Sequence, residues 1–260
     1  MRKCAGAGGV LLLSIALPLA ASAQELPPAE RYHLRVEWRW WQPTLNGDVQ
    51  KGFGSAKGTL LSLTDDLGVQ DDNTWNVSGA IKFTKSIKFV GSFIPIHYTG
   101  RQAANTNISY GEQLFFRGEQ LLTDLKGELY SGAIEWDFVR NKNGYVGGLL
   151  GAKALLFDSV VLAPDSAKRV VDTETLPVPI VGLTARAYGA KRFSVSATIA
   201  GFTIGERGKF WEVDLSGRVH FSDRLAGQVG YYRFSLEGKD ARDFAKMSLG
   251  GLTFGGEVSF

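Results

Sequence analysis

Residues 210–221 read FWEVDLSGRVHF, and this stretch decides the fold class because its side chains alternate strictly in character. The odd positions are apolar or glycine, whereas most even positions are charged or polar: Glu212, Asp214, Ser216, Arg218 and His220. Successive side chains of a β-strand point to opposite faces. The stretch therefore indicates a strand with one apolar face and one ionic face.

The same period-two alternation recurs about ten times towards both ends of the chain. In the first segment the aromatic and aliphatic set faces away from Arg35, Glu37 and Arg39; that set is Tyr32, Leu34, Val36, Trp38 and Trp40. Similar runs surround Trp75 and Trp136. The sequence predicts an all-β fold of ten strands, with eight or twelve as alternatives, near 32–44, 73–84, 87–99, 124–139, 144–162, 177–189, 192–204, 209–221, 224–237 and 246–260.

The first 23 residues have the pattern of a secretory signal peptide. Arg2 and Lys3 precede an apolar run at 10–21, and small residues at 21–23 provide a cleavage site before Gln24. The apolar run is shorter than the roughly 20 residues that a membrane-spanning helix needs. We therefore expect export, removal of 1–23 together with Cys4, and one domain over 24–260 that has neither a disulfide nor a thiolate site.

Charge and histidine content narrow the function classes. The chain holds 29 Lys and Arg against 26 Asp and Glu, and without the leader the balance is 27 to 26. A basic surface for nucleic acid is therefore not predicted. The three histidines, His33, His97 and His220, lack the spacing of metal ligands, so neither a metal nor another cofactor is expected.

A secreted β-sandwich and a transmembrane barrel both alternate in this way. The export signal and the aromatic residues near strand ends favour the barrel. The last strand alternates to the final residue through Leu252, Phe254, Val258 and Phe260, and it resembles the C-terminal recognition strand of bacterial outer-membrane barrels. The chain as a whole resembles small outer-membrane barrels of the OmpA-like and OmpW-like kinds. That resemblance implies a place in the outer membrane, contact with its lipid and lipopolysaccharide, and assembly by the barrel-assembly machinery.

Connection lengths predict the topology, because such barrels have short periplasmic turns and longer extracellular loops. The short connections are 84–86, 141–144, 189–191 and 222–223, and the long ones are 45–72, 101–123, 163–176 and 238–245, with a further short link near Gly205. In the first long linker, 48–56 could form another hairpin and 60–67 a helical turn. Pro177 and Pro179 are expected at the start of a strand, where a missing N–H is tolerated.

If the apolar faces meet lipid, the ionic faces share the lumen. The residues predicted there are Arg35, Glu37, Arg39, Lys82, Glu135, Asp137, Arg186, Glu212, Asp214, Arg218 and Glu257. Ten strands leave little free interior, and buried charges need partners. We therefore expect a salt-bridge network in preference to a selective pore, for which small solutes or ions would be the cargo.

The alternative function is enzymatic. His220-Phe221-Ser222 resembles the His-x-Ser element of outer-membrane lipid A deacylases, and this resemblance implies a lipid hydrolase using His220 and Ser222. Asp223 departs from that family's pattern, and Ser222 falls in a predicted turn. Because a hydrolytic pair depends on spatial geometry, the sequence favours a non-enzymatic barrel with a structural or narrow-pore role.

Overall fold

The computed structural model describes residues 27–190, 192–205 and 208–260, so the predicted leader at 1–23 lies outside the described residues. In chain order the strands are β1 (Leu34–Gln50), β2 (Leu61–Ser62), β3 (Thr74–Lys82), β4 (Ile87–Ala103), β5 (Ile108–Tyr110), β6 (Gln113–Phe115), β7 (Gln120–Asn141), β8 (Gly144–Ala163), β9 (Lys168–Ala190), β10 (Phe193–Ile204), β11 (Gly208–His220), β12 (Leu225–Lys239) and β13 (Phe244–Ser259). Two short 3-10 helices, Pro28–Glu30 and Pro164–Ser166, accompany them. No helix within the described ranges has the length and apolar character needed to cross a membrane.

Ten of these strands form one closed wall. Strand β2 adds a short extra pairing to β1, and β5 and β6 form a separate hairpin, while the other strands pair antiparallel in chain order. Strand β13 pairs with β1 from Arg35↔Ser259 to Gln50↔Phe244, which closes the sheet. At this seam a Cβ on Gly255 would lie 2.0 Å from the carbonyl oxygen of Trp38, so only glycine fits there. The predicted ten-strand antiparallel barrel is confirmed.

The predicted short turns at 84–86, 141–144 and 222–223 are confirmed, whereas residue 191 of the turn at 189–191 lies outside the described residues. The opposite ends of several strands reach further than the sequence indicated. Strand β4 continues to Ala103, and β7 begins at Gln120. Residues 48–50 continue β1, and the further hairpin expected at 48–56 is present in part, since Asp48 and Val49 also pair with β2 and Phe53 is bridged to Ala56. The segment 60–67 forms β2 followed by a turn of helical type, in which the Asp66 N–H donates to the carbonyl of Ser62, four residues back. In the extensions of β4 and β7, polar and apolar residues no longer alternate, as the adjacent pairs Arg101-Gln102 and Leu121-Leu122 show, so the period-two signal fades before the strand does.

The loop predicted at 163–176 is wrong. Only the 3-10 helix Pro164–Ser166 and Ala167 separate β8 from β9, which begins at Lys168. Pro177 and Pro179 therefore lie inside β9, not at its start. The physical reason is that pairing of β9 with β10 ends at Val181, so both prolines lie where β9 has a partner only in β8. A strand with one free edge tolerates a residue that has no N–H.

Large apolar side chains form a belt around the outside of the wall. On β7 the outward residues run from Tyr130 through Ile134 and Trp136 to Phe138, and all of them are exposed. Nine residues at about 3.3 Å per residue, tilted by roughly 40°, span about 23 Å, close to the height of a bilayer's apolar band. A closed barrel with an apolar exterior is the β-architecture that satisfies every backbone hydrogen bond in lipid.

The belt can be tested at Leu150, which is 71% exposed and pairs with Ile134 and Val181 in the middle of the belt. If this face meets lipid, Leu150→Arg should lower the free energy of unfolding from vesicles by about 2–4 kcal/mol. The matched control is Leu114→Arg on the β5–β6 hairpin, also an exposed leucine, which should change it little. Equal small effects at both positions would contradict a lipid-facing belt.

Candidate functional site

The lumen at the periplasmic end of the barrel holds a network of ion pairs. All eleven residues predicted from the ionic strand faces point inward and take part in it. Several pairs join strands that are not neighbours in the wall: Arg39 Nη1 on β1 lies 2.5 Å from Asp214 Oδ2 on β11, and Lys153 Nζ on β8 lies 2.8 Å from Glu212 Oε2 on β11. The network therefore bridges the lumen from wall to wall.

Glu257 and Arg218 form the centre of one half of the network. Arg218 Nε lies 3.0 Å from Glu257 Oε2, and Arg218 Nη2 lies 3.0 Å from Glu37 Oε2. Arg186 Nη2 reaches the same Glu257 oxygen at 2.5 Å, and Arg35 Nε lies 3.4 Å from Oε1. One carboxylate thus holds three guanidinium groups from β1, β9 and β11.

Two lysines in the network were missed by the sequence prediction. Lys88 Nζ lies 2.8 Å from Glu135 Oε1 and 3.4 Å from Asp137 Oδ2, and Lys153 pairs with Glu212 as described above. A signal for Lys88 was present, because it occupies the face of β4 opposite Ile87 and Phe89. Lys153 is buried in the same way, opposite the outward face of β8.

The most buried acid of the network, Glu30, was also missed. It belongs to the 3-10 helix that precedes β1, and it is 1% exposed. Its carboxylate lies 2.9 Å from Arg35 Nη2, 2.8 Å from Lys82 Nζ and 3.2 Å from Arg186 Nη1, and it accepts a hydrogen bond from the Tyr188 hydroxyl at 2.6 Å. The segment before β1 is therefore folded into the periplasmic mouth and held there by three cations.

The position predicted for Tyr32 is wrong. Alternation placed it on the lipid face, whereas it is buried, with the Arg35 guanidinium 3.9 Å and the Lys82 ammonium 4.0 Å from its ring centre. The strand begins only at Leu34, so the period-two rule does not extend back to residue 32. Two cations over one aromatic ring stabilise the inward position.

Charge balance explains how so many ionic groups can be buried together. With Lys88 and Lys153 the cations number seven, and with Glu30 the anions also number seven. Burial alone would raise the pKa of Glu30, but Arg35, Arg186 and Lys82 hold it well below its usual range. A cavity of about 190 Å³ among these side chains leaves room for several water molecules.

An apolar layer, absent from the sequence prediction, fills the lumen above the network. Its inward side chains come from strands around the whole wall and are almost completely buried: Trp41, Leu45, Ile94, Leu129, Leu155, Ile180, Phe210, Phe234 and Leu249. The Trp41 ring centre lies 5.1 Å from that of Tyr232 and 6.1 Å from that of Phe234. Charged side chains and then apolar side chains therefore fill the lumen in two successive layers along its axis.

His220 and Ser222, the pair of the enzymatic alternative, have other partners. His220 Nε2 lies 2.8 Å from the Ser194 hydroxyl in a buried contact. The exposed Ser222 hydroxyl instead accepts hydrogen bonds from the backbone N–H groups of Arg224 and Leu225 in the β11–β12 turn. The structure gives the proposed pairing no support. Across the described ranges, no three His, Cys, Asp or Glu side chains gather as they would at a metal centre.

Solved barrels resemble the chain in fold. The outer membrane protease OmpT from Escherichia coli has a TM-score of 0.63 at 8% identity, over 87% of this chain and 96% of that chain. The translocator domain of the autotransporter NalP from Neisseria meningitidis scores 0.41 at 13% identity, over 88% of each chain, and Ail, the attachment invasion locus protein of Yersinia pestis, scores 0.40 at 12% identity, over 86% of this chain and 99% of that chain. No protein-family model and no curated protein matches the sequence. The chain is a β-barrel of the bacterial outer-membrane type.

Proposed function

We propose that this outer-membrane barrel is a non-enzymatic envelope protein whose lumen is closed to ions. The observation that carries the proposal is the series arrangement of a charge-balanced network and an apolar layer inside one narrow barrel. The likeness to a protease concerns the fold, and one fold supports many functions.

Each layer opposes ion passage for a different physical reason. In the network, arginines and carboxylates pair with one another, so a permeating ion would have to displace a short, buried pair such as Arg186–Glu257. In the apolar layer, the side chains of Leu45, Phe234 and Leu249 offer no oxygen or nitrogen to replace the ion's hydration shell. Opening one layer alone would leave the other closed.

Single-channel recording in a planar bilayer tests the proposal directly. We expect the refolded wild-type protein to insert without discrete conductance steps, because both layers block the axis. Insertion is checked separately by the shift in gel mobility between unheated and heated samples. Arg218→Ala and Glu212→Ala are measured in parallel, because each removes a partner from the network but leaves the apolar layer intact.

Discrete wild-type steps whose ion selectivity changes in Arg218→Ala or Glu212→Ala would overturn the closed-lumen proposal and establish a pore. The enzymatic alternative has its own test. Release of fatty acid from lipid A by the purified protein, lost in His220→Ala, would replace the non-enzymatic proposal, whereas we expect no release.

The C-terminal strand supports a second part of the proposal, recognition by the barrel-assembly machinery. Leu252, Phe254 and Val258 are exposed on the outer face of β13, and Phe260, directly after the strand, is exposed as well. The same strand forms the closing seam with β1, so it has a free edge until the barrel closes. An exposed apolar strand with an unpaired edge offers both side chains and backbone groups to a partner.

A further inference from the structure

A second cavity lies at the extracellular end, above the apolar layer, and the network does not use it. It has a volume of about 480 Å³, within the range of ligand sites. We call it the outer cup. Its apolar lining includes Leu45, Ile96, Tyr98, Phe157, Leu176 and Met247, which face inward from five different strands.

The outer cup has an opening on its side as well as its top. Pairing of β9 with β10 ends at Val181, so residues 168–180 rise above the short β10–β11 hairpin with a partner only in β8. Phe202 and Ile204 at the hairpin tip face inward yet are exposed. Leu176, on the inward face of the tall strand, is exposed for the same reason.

This side opening lies close to the lipid interface. Trp211 pairs with Gly201 on the outer face of the hairpin, only a few residues below its tip, and the Arg233 guanidinium lies 5.4 Å from the Trp211 ring centre. An outward tryptophan covered by an arginine is typical of the boundary between lipid chains and headgroups. A molecule that partitions into the outer leaflet would therefore reach the opening without crossing the barrel.

The polar groups of the outer cup favour a positive charge. Asp172 is already paired with Lys51, but Glu174, on the same inward face of β9, pairs with no residue of the described ranges. Tyr110 also lines the cup, and burial, together with the carboxylates of Asp172 and Asp243, raises the pKa of its hydroxyl to about 12. Five carboxylates line the cup against four lysines, Lys51, Lys126, Lys239 and Lys246. The cup thus combines a small excess of negative charge, with Glu174 left unpaired, and aromatic faces, two features that attract organic cations.

We propose that the outer cup binds an amphiphilic organic cation, such as an alkylamine, with its chain against Phe157 and Leu176 and its ammonium group at Glu174. This inference goes beyond the closed lumen and is independent of it, since the cup lies above both closed layers. A neutral alcohol of the same chain length would lack the attraction to Glu174, and a carboxylate would be repelled.

Equilibrium binding to the full protein in lipid nanodiscs tests the proposal with decylamine, decanol and decanoate. Empty nanodiscs measure partition into lipid, which is subtracted. We expect saturable decylamine binding at one site, weaker decanol binding and no saturable decanoate binding. Glu174→Gln should weaken decylamine binding about fivefold and leave decanol unchanged, as for the loss of one exposed ion pair.

A blocking variant shows whether the ligand occupies this cavity. A Cβ on Gly238, which lines the cup, meets nothing within 4 Å. We therefore expect the side chain of Gly238→Trp to enter the cavity and to abolish saturable decylamine binding. Gly189→Trp, equally unobstructed but at the opposite end of β9, is the matched control and should bind normally. Both variants are first checked for folding by their unheated gel mobility.

Three results would overturn the proposal. Decylamine binding that survives Gly238→Trp would place the ligand elsewhere, and binding equal to that of empty nanodiscs would reduce it to lipid partition. A third result would be binding that is blocked by Gly238→Trp but unaffected by Glu174→Gln, with equal affinities for decanol and decylamine. This result would show that the cup does not select a cation.

Discussion

Replacing Glu30 with glutamine should lower the free energy of unfolding by about 3–5 kcal/mol, because the change removes one partner of a buried ionic cluster and leaves the others in place. Arg35 and Arg186 retain Glu257, but Lys82 has Glu30 as its only carboxylate partner among the described residues. The Lys82 ammonium also donates to the Glu30 backbone carbonyl at 2.6 Å. The loss should therefore be concentrated at the periplasmic mouth.

Urea unfolding in vesicles gives the size of this effect, and limited trypsin digestion gives its location. In Glu30→Gln we expect faster cleavage near the N-terminus, at Arg31 or Arg35, than in wild type. The matched control is Glu112→Gln in the exposed turn between β5 and β6, which changes the same charge and should alter neither measurement. Unchanged stability and unchanged cleavage in Glu30→Gln would show that the segment before β1 is not held by this carboxylate.

The pH dependence of the same pair of proteins follows from the direction of the pKa shift. The folded-state pKa of Glu30 is held well below its ordinary value of 4.5, so its contribution to stability is complete above about pH 4.5. That contribution is lost as the pH falls from there through the folded-state pKa. The stability difference between wild type and Glu30→Gln should therefore be constant from pH 7 to about 5 and should shrink below about 4.5.

Alternation along the chain was sufficient to predict the ten strands and the short turns, because a barrel wall with lipid outside and ions inside imposes a period of two on every strand. The same rule placed Arg39 and Asp214 on one face, and the structure brings them within 2.5 Å. Alternation does not predict which inward charges form ion pairs. The pairing depends on how the barrel closes and how its strands are staggered, and the sequence of a single strand encodes neither.

Glu30 shows why part of the site could not be predicted. It lies in a three-residue helix before the first alternating run, where no period exists to give it a face. The apolar layer was missed for a different reason. Trp41 and Leu45 share the parity of Arg35 and Arg39, so their inward position followed from the pattern, but the lumen was assumed to be ionic along its full length.

Replacing Trp41 with alanine is the second change with a large expected effect. The side chain is completely buried at the centre of the apolar layer, against Tyr232 and Phe234. Truncation of a packed tryptophan costs about 3–5 kcal/mol through lost burial and the cavity left behind. The same unfolding measurement should therefore show a loss comparable to that of Glu30→Gln, but centred halfway along the lumen.

Trp38→Ala is the matched control, because Trp38 lies on the same strand three residues away and points outward, with 51% of its side chain exposed. Truncation of Trp38 removes contacts on only one side of the ring. The loss in free energy of unfolding should therefore be less than half of the loss in Trp41→Ala. Equal losses at the two positions would contradict an interior layer built around Trp41. Comparison of Trp41→Ala with Trp38→Ala thus distinguishes the contribution of packing inside the lumen from that of contact with lipid.

Combining the two large changes tests whether the layers act in series. Glu30→Gln loosens the periplasmic mouth but leaves the hydrocarbon layer closed, and Trp41→Ala does the reverse, so neither single variant should conduct in a planar bilayer. The double variant loosens both layers at once, so we expect it to be the first of the three variants to show discrete steps, provided that its unheated gel mobility shows a folded barrel. Steps from Trp41→Ala alone would mean that the ionic network passes ions unaided, and the closure of the lumen would then rest on hydrocarbon only.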